Sequence, residues 1–123
     1  MKVLLVDDEK ELIATLAERL SFRGFEVDFA TTAEAAIQMA DNKTYDLAVL
    51  DIKMPKIRGF DIKKMLETKQ PKMKFLFMTG HGSEKDFQTA AAQTGEEFYL
   101  VKPVQLDMLI RKMEQAMKKQ GDS

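Results

Sequence analysis

The chain has 123 residues, 19 basic and 20 acidic side chains, and a formal net charge of −1 at pH 7. This length favours one domain with a core large enough to fold without crosslinks. The near-neutral balance gives no electrostatic basis for nucleic-acid or membrane binding by the whole chain. Cysteine is absent, which excludes disulfides, thiol catalysis and zinc–thiolate sites.

The first residues do not predict export or membrane insertion. Met1 and Lys2 precede only four apolar residues before Asp7, which is too short for the core of a signal peptide. No stretch approaches the roughly 20 apolar residues that a membrane-spanning helix needs. We therefore expect a cytoplasmic protein.

Strand and helix patterns alternate along the chain. Continuous apolar runs predict buried strands, alternating runs predict half-exposed strands, and helical spacing of apolar residues predicts amphipathic helices. The predicted strands are residues 2–6, 26–30, 46–50, 74–78 and 97–101. The predicted helices are residues 9–23, 33–41, 61–69, 83–93 and 105–119. The predicted domain is therefore residues 1–119, followed by a disordered tail or the start of a linker, residues 120–123.

The helical spacing also predicts which side chains face the core. On the first helix the apolar stripe contains Leu12, Leu16 and Leu20, beside Ile13 and Ala17. On the third helix the inward side chains are Ile62, Met65 and Leu66. Thr32 is expected to cap the second helix, because its hydroxyl can accept a hydrogen bond from the first turn.

Alternating strand–helix units predict an α/β fold with an open parallel sheet and helices on both faces. The second strand is the most amphipathic, so it should lie at an edge, whereas the first, third and fourth are continuously apolar and should be central. The strand order 2-1-3-4-5 satisfies both expectations.

Polar residues stand at the carboxyl ends of four of these strands. Asp7 and Asp8 follow the first, Asp51 the third, Thr79 the fourth and Lys102 the fifth. In the predicted order the chain reverses direction between strands 1 and 3, and open α/β sheets bind ligands beyond the strand ends at that point. We therefore expect three carboxylates, a hydroxyl and an ammonium to share one pocket.

This set of groups suits a metal ion and a phosphoryl group. Carboxylates without Cys or His neighbours favour a hard cation, and Mg²⁺ suits two carboxylates, waters and a phosphate. Asp51 beside Mg²⁺ could act as a nucleophile and form an acyl phosphate. Thr79 and Lys102 would supply a hydroxyl donor and a cation to the same phosphoryl group. Taken singly, each of these residues also has a structural explanation as a cap, turn or surface residue.

Together these residues resemble the receiver domain of two-component response regulators, of the kind found in chemotaxis regulators. The matching motifs are Val6-Asp7-Asp8-Glu9, Leu50-Asp51-Ile52-Lys53-Met54-Pro55, Gly59, Met78-Thr79-Gly80 and Tyr99-Leu100-Val101-Lys102-Pro103. The resemblance covers about residues 2–119. It implies a flavodoxin-like (βα)₅ fold. It also implies a phosphoacceptor signalling domain. Such a domain is not a classical enzyme, because it catalyses only its own phosphorylation and dephosphorylation.

The resemblance assigns the acceptor and the metal ligands. Asp51 would receive a phosphoryl group from the phosphohistidine of a histidine kinase. Mg²⁺ would be bound by Asp51 and Asp8, by Asp7 partly through water, and by the backbone carbonyl of Lys53. The side chain of Lys53, two residues after the acceptor, resembles a position that tunes the lifetime of the phosphoryl group.

The resemblance also assigns the residues that respond to the modification. Thr79, Gly80 and Lys102 would contact the phosphoryl group. Thr79 and Tyr99 would form the conformational switch, with Tyr99 turning inward when Thr79 moves. His81, two residues after Thr79, resembles a second position that tunes the dephosphorylation rate.

The implied partners are a sensor histidine kinase or a histidine phosphotransfer domain, and an output protein or effector domain. The output would bind the face made by the predicted fourth helix, fifth strand and fifth helix. Direct nucleic-acid binding by this domain and membrane association are not expected, whereas a phosphorylation-dependent homodimer stays open. The kinase, the output pathway and the question of a stand-alone or longer regulator are open too.

Three other classes compete with this interpretation. A flavin-binding module needs a phosphate cradle after the first strand, where Asp7, Asp8 and Glu9 would repel a phosphate. A phosphatase of the haloacid-dehalogenase type needs a second Asp two residues after the nucleophile, where this chain has Lys53. A degenerate receiver that acts only as a binding module would lack an acidic, hydroxyl or Lys position of the site, and none is lacking.

Overall fold

The computed structural model describes residues 1–80, 85, 88, 89, 92 and 98–121. Its strands are β1 (Lys2–Val6), β2 (Glu26–Ala30), β3 (Leu47–Asp51), β4 (Lys74–Thr79) and β5 (Tyr99–Val101). Its helices include α1 (Lys10–Phe22), α2 (Ala33–Asn42), α3 (Gly59–Lys69) and α4 (Leu106–Gly121). Among the described residues, no helix combines the length and the apolar content needed to cross a bilayer.

The strands form one parallel sheet in the order β2-β1-β3-β4-β5. The predicted α/β fold and strand order are therefore confirmed. β3 is buried at every position, whereas most of β2 is only half-buried, as expected of a central strand and an edge strand. Strand pleating explains the difference, because a central strand covered by helices on both faces needs apolar side chains at successive positions.

Helices cover both faces of the sheet and create two cores. Leu4 and Val6 of β1 point to the core formed with α2 and α3. Val3 and Leu5, one residue out of phase, point to the core formed with α1 and α4. Each of these fully buried side chains contributes about 1.5–3 kcal/mol through removal of apolar surface from water. The carboxyl end of β1 is thus held from both faces.

Several element boundaries differ from the sequence prediction. β3 and β4 each extend one residue further and end in Asp51 and Thr79 themselves. α3 begins earlier than predicted, at Gly59, and α4 continues beyond the predicted end to Gly121, so residues 120 and 121 of the expected tail are helical. Most of the predicted helix 83–93 lies outside the described residues, although residues 85, 88, 89 and 92 are helical.

Two side chains predicted to face the core do not. Leu12 is 37% exposed, because the buried stripe of α1 is centred on Ile13 and Ala17. Met65 is 43% exposed, because the stripe of α3 passes through Lys63 on its other side. On α1 the predicted apolar residues Ile13 and Ala17 are buried, whereas on α3 apolar spacing gave no sign that Lys63 is buried. Thr32 does cap α2 as predicted, accepting a hydrogen bond from the Ala35 N–H at 3.1 Å.

Lys63 lies at the edge of the buried face of α3 that is opposite to Met65. Its side chain is buried, with Nζ 3.3 Å from Glu67 Oε1 and 5.2 Å from the centre of the Phe75 ring. A lysine is tolerated there because its aliphatic stem packs while its charge contacts a carboxylate and an aromatic face.

The connection between β3 and α3 brings the start of α3 against the backbone of Asp51. The Ile57 N–H donates to the Pro55 carbonyl at 2.8 Å across Lys56, whose φ of 71° is the left-handed value of a γ-turn. A Cβ atom at Gly59 would overlap the backbone carbonyl of Asp51 and approach Ile52 Cα to 3.0 Å. Glycine is therefore required by space at this position.

We predict that Gly59→Ala lowers the free energy of unfolding by roughly 1–3 kcal/mol, because the added methyl group displaces the backbone of Asp51. Urea denaturation followed by circular dichroism measures this loss. Gly80→Ala is the control, since its Cβ would meet only Lys102 Cδ at 3.9 Å, an ordinary contact. Equal stability of the Gly59→Ala protein and the wild type would contradict the prediction.

Candidate functional site

Three aspartates meet at the carboxyl edge of the sheet. Asp7 follows β1 and Asp51 ends the adjacent strand β3, and with Asp8 they bring one carboxylate oxygen each to within 4.8 Å of one another. Asp7 and Asp51 are 0% and 4% exposed, whereas Asp8 is open to solvent. These carboxylates share one pocket, as predicted. The strand order brings them together, because β1 and β3 are neighbours at the point where the chain reverses.

Local backbone N–H groups hold the two buried carboxylates. Asp7 Oδ1 accepts a hydrogen bond from the Glu9 N–H at 2.8 Å, and Asp51 Oδ1 accepts one from the Lys53 N–H at 3.3 Å. Each contact spans two residues and turns the chain away from the strand end. One oxygen of each carboxylate is therefore engaged by the backbone, and the other is left for the pocket.

Lys102 enters the same pocket from the loop after β5. Its Nζ lies 2.6 Å from Asp7 Oδ2, 2.9 Å from Glu9 Oε1 and 3.6 Å from Asp51 Oδ2. Its side chain is only 9% exposed. The Lys102 N–H donates to the Thr79 carbonyl at 2.8 Å, which holds the backbone of Lys102 beside the end of β4. The Lys102–Pro103 peptide bond is cis.

The charges of the pocket shift one another's pKa values. Burial raises the pKa of Asp51, and the nearby charge of Asp7 adds to this effect, while Lys102 opposes it. Burial is the largest single influence on Lys102 and lowers its pKa, but the contacts with Asp7 and Glu9 and the charges of Asp7 and Asp51 together outweigh burial, so the pKa of Lys102 is raised. The hydrogen bond from Lys102 lowers the pKa of Glu9. One ammonium is thus shared among an excess of carboxylates, which leaves the pocket attractive to a further cation.

The donor set fits a divalent metal ion. All three aspartates offer oxygen, the ligand atom that Mg²⁺ and Ca²⁺ take at about 2.0–2.6 Å, and a spread of 4.8 Å needs only a small closure to surround such an ion. Asp8 gives the site an open side for water. The Lys102 ammonium already occupies part of the pocket as a cation, 2.6 Å from Asp7.

Thr79 and Gly80 lie beside the aspartates on the next strand. Asp51 pairs in register with Met78, so Thr79 ends β4 one residue further along the same edge, and it is fully buried. Gly80 follows Thr79, and a Cβ atom added to Gly80 would lie 3.9 Å from Lys102 Cδ. The structure therefore brings the predicted hydroxyl, the glycine and the ammonium to one edge of the sheet.

Tyr99 stands at the start of β5 and pairs in register with Phe77. It is 9% exposed and packs in the core that contains Phe60 and Phe77, whose rings meet edge to face at 4.8 Å. Its ring is thus turned into the protein in this structure. His81 lies outside the described residues, so its role stays a prediction.

Glu9 is the contact of this pocket that the sequence analysis missed. The sequence marked Glu9 only as an acidic neighbour of the two aspartates, and its partner Lys102 lies 93 residues away. No spacing rule connects residues so far apart. The only signal was an acidic side chain directly after two aspartates at the start of a helix.

Doubly wound α/β domains bind ligands beyond the carboxyl ends of their strands, at the point where the strand order reverses, and the carboxylate cluster of this domain lies at that point. The response regulator receiver domain matches residues 3–114 of the chain. The chain therefore belongs to the response regulator receiver domain family, and the predicted resemblance is confirmed.

Known relatives agree with this membership. The transcriptional regulatory protein CusR of Escherichia coli (strain K12) is 36% identical over 103 residues, which cover 84% of this chain and 45% of CusR. The chain thus spans about half the length of the curated relatives it matches.

Solved structures share the fold. A CheY-like receiver domain protein from Methanospirillum hungatei JF-1 matches with a TM-score of 0.86 and 28% identity, over 98% of this chain and 96% of that one. A response regulator from Burkholderia pseudomallei, solved with a phosphorylated aspartic acid, calcium ion and citrate, matches in fold with a TM-score of 0.82 and 24% identity, over 98% of this chain and 71% of that one.

We predict that Lys102→Met binds Mg²⁺ roughly tenfold more tightly, a difference of about 1.4 kcal/mol, because an ammonium that competes for Asp7 and Asp51 is removed. Titration calorimetry measures the affinity, since the chain has no Trp reporter. Lys10→Met, an exposed lysine at the start of α1, controls for the change in net charge. An affinity for Lys102→Met equal to or weaker than that of the wild type would rule out this competition.

Proposed function

We propose that the chain is a phosphoacceptor signalling domain, in which Asp51 takes a phosphoryl group and the modification switches the conformation seen by an output partner. The observation that carries this proposal is the buried Asp51 carboxylate. It lies with Asp7 and Asp8 oxygens within 4.8 Å and with Lys102 Nζ at 3.6 Å. A carboxylate among such charges has the surroundings that phosphoryl transfer requires.

Asp51 is the proposed nucleophile. Its Oδ1 accepts the Lys53 N–H, whereas Oδ2 faces Lys102, so one oxygen is oriented by the backbone and the other faces the pocket. In the reaction a carboxylate oxygen attacks phosphorus, the P–N bond of the phosphohistidine breaks, the imidazole leaves, and an acyl phosphate forms; with acetyl phosphate the P–O bond breaks and acetate leaves. Asp7, Asp8 and Asp51 would hold Mg²⁺, which neutralises phosphoryl oxygens. The Lys53 carbonyl as an additional ligand is part of the proposal.

The response to phosphorylation is proposed to come from the edge formed by β4 and β5. Thr79 and the Gly80 N–H would donate to the phosphoryl oxygens beside Lys102. Reversing a 1:99 equilibrium requires ~5.5 kcal/mol, and hydrogen bonds to charged groups contribute roughly 1.5–3 kcal/mol each. Two such bonds supply most of the difference. Tyr99, buried next to Phe77, is the proposed link between Thr79 and the surface.

The proposed partners follow from family membership. A histidine kinase or histidine phosphotransfer domain would donate the phosphoryl group, and an output protein or effector domain would bind the face of the predicted helix 83–93, β5 and α4. Val101 and Met108, which are 57% and 41% exposed on β5 and α4, support this choice because they offer apolar surface. A phosphorylation-dependent homodimer would use the same kind of surface.

Several broader properties belong to the same proposal. The domain would span residues 1–119 and act in the cytoplasm, without direct nucleic-acid or membrane binding. It would catalyse only its own phosphorylation and dephosphorylation. The side chains of Lys53 and His81 would set the lifetime of the phosphoryl group. The fold itself accommodates a phosphorylated aspartate and a divalent cation, as in the Burkholderia pseudomallei response regulator.

We predict that the wild type gains one phosphoryl group from acetyl phosphate and Mg²⁺, and that Asp51→Asn gains none because the nucleophilic carboxylate is gone. Intact-mass spectrometry counts the adducts. Asp61→Asn, an exposed aspartate in the first turn of α3, is the matched control and should be modified like the wild type. Equal labelling of Asp51→Asn and the wild type would overturn the proposed acceptor.

We predict that Thr79→Val is phosphorylated on Asp51 but loses most of the conformational response, because valine keeps the buried volume and removes the hydroxyl donor. Amide chemical shifts of β4, β5 and α4, recorded with and without acetyl phosphate, measure the response. Thr68→Val, on the exposed side of α3, should respond like the wild type. A full set of shift changes in phosphorylated Thr79→Val would contradict the proposed switch.

A further inference from the structure

Lys102 has a carboxylate partner that belongs to neither the proposed acceptor nor the proposed metal ligands. Glu9 Oε1 lies 2.9 Å from Lys102 Nζ, whereas the cluster of candidate ligands consists of the three aspartates. The Glu9 side chain is 60% exposed and that of Lys102 only 9%. Ion pairs between two exposed side chains contribute little, but here the ammonium is nearly enclosed, so screening by water is weaker at its end of the pair.

The start of α1 fixes Glu9 in this position. Its N–H donates to Asp7 Oδ1 at 2.8 Å, and its carbonyl accepts the Ile13 N–H at 3.0 Å as the first hydrogen bond of the helix. Glu9 is the N-cap residue, yet its side chain makes no cap hydrogen bond. An acidic residue here also suits the helix dipole. The dipole alone, however, does not account for a carboxylate that contacts Lys102 instead of the N–H groups of its own first turn.

Binding of a divalent cation would affect the contacts of Lys102 differently. Asp7 and Asp51 are carboxylates that a divalent cation would engage, and two cations near the same oxygens repel each other. The contacts of Lys102 to these two aspartates are therefore weakened when the site is loaded. The contact to Glu9 is outside the ligand cluster and persists. Glu9 is then the carboxylate that competes with an incoming phosphoryl group for the ammonium.

We propose that Glu9 is a positioning residue that holds the Lys102 ammonium at the rim of the pocket and thereby slows phosphorylation of Asp51. Glu9 itself forms no covalent bond in the reaction. It acts by keeping a donor of the Lys102 ammonium occupied, so that this donor is not available to an incoming phosphoryl group. This inference rests on the proposed function, because it concerns the rate of that same reaction.

The test compares Glu9→Gln with Glu11→Gln, which removes the same charge from an exposed position in the first turn of α1. The rate of Asp51 phosphorylation by acetyl phosphate at saturating Mg²⁺ is followed by intact mass. We expect Glu9→Gln to react about three- to fivefold faster than the wild type, the size expected for loss of a partly exposed ion pair. Glu11→Gln should react at the wild-type rate. An unchanged or slower rate for Glu9→Gln would overturn the inference.

A second arm asks whether Glu9 acts through Lys102. In a Lys102→Met background, Glu9→Gln should no longer accelerate the reaction, because the ammonium that Glu9 holds is absent. Equal acceleration in both backgrounds would mean that Glu9 acts by its charge alone and would overturn the positioning role. Nitrogen-15 NMR of the Lys102 ammonium adds a readout without any phosphodonor, and its signal should shift in Glu9→Gln and stay unchanged in Glu11→Gln.

Failure of the inference is distinguishable from failure of the proposed function. A wild type that forms no adduct on Asp51 would overturn both. A wild type that forms the adduct, with Glu9→Gln reacting at the same rate, would overturn the role of Glu9 alone.

Discussion

The carboxyl edge of the sheet depends on one nearly enclosed ammonium. Asp7 and Asp51 are buried within reach of each other, and burying two like charges is costly unless a cation accompanies them. Lys102 supplies that cation, with Nζ 2.6 Å from Asp7 and 3.6 Å from Asp51. The excess negative charge that remains is what makes the same edge suited to a metal ion. Folding and ligand binding therefore draw on the same set of charges.

The sheet was predictable because each strand is marked by the apolar pattern of its own few residues. Apolar runs marked the buried strands, and the half-polar pattern of β2 identified the edge. The strand order then placed Asp7, Asp8 and Asp51 together without any knowledge of side-chain contacts. Exact boundaries were less accessible, since Asp51 and Thr79 belong to their strands through pairing with neighbours, which no single segment encodes.

The features that the sequence did not reveal depend on how helices are rotated against the sheet and on contacts between residues far apart in the chain. The exposure of Met65 and the burial of Lys63 follow from how α3 turns against the sheet, and both residues fit a helical stripe of slightly different phase. The contact between Glu9 and Lys102 joins residues that are 93 positions apart in the sequence. The need for glycine at position 59 arises because α3 starts against the backbone of Asp51, a contact that only the folded connection creates.

The backbone hydrogen bond from the Lys102 N–H to the Thr79 carbonyl has a mechanical consequence. It joins the last residue of β4 to the first residue after β5, so a backbone hydrogen bond connects the residue that bears the hydroxyl to the residue that bears the ammonium. A displacement of either backbone pulls on the other, and Val101, exposed directly before Lys102, is carried with them. Thr79 and Lys102 in the pocket are thus connected to the exposed Val101 on β5 through only a few residues.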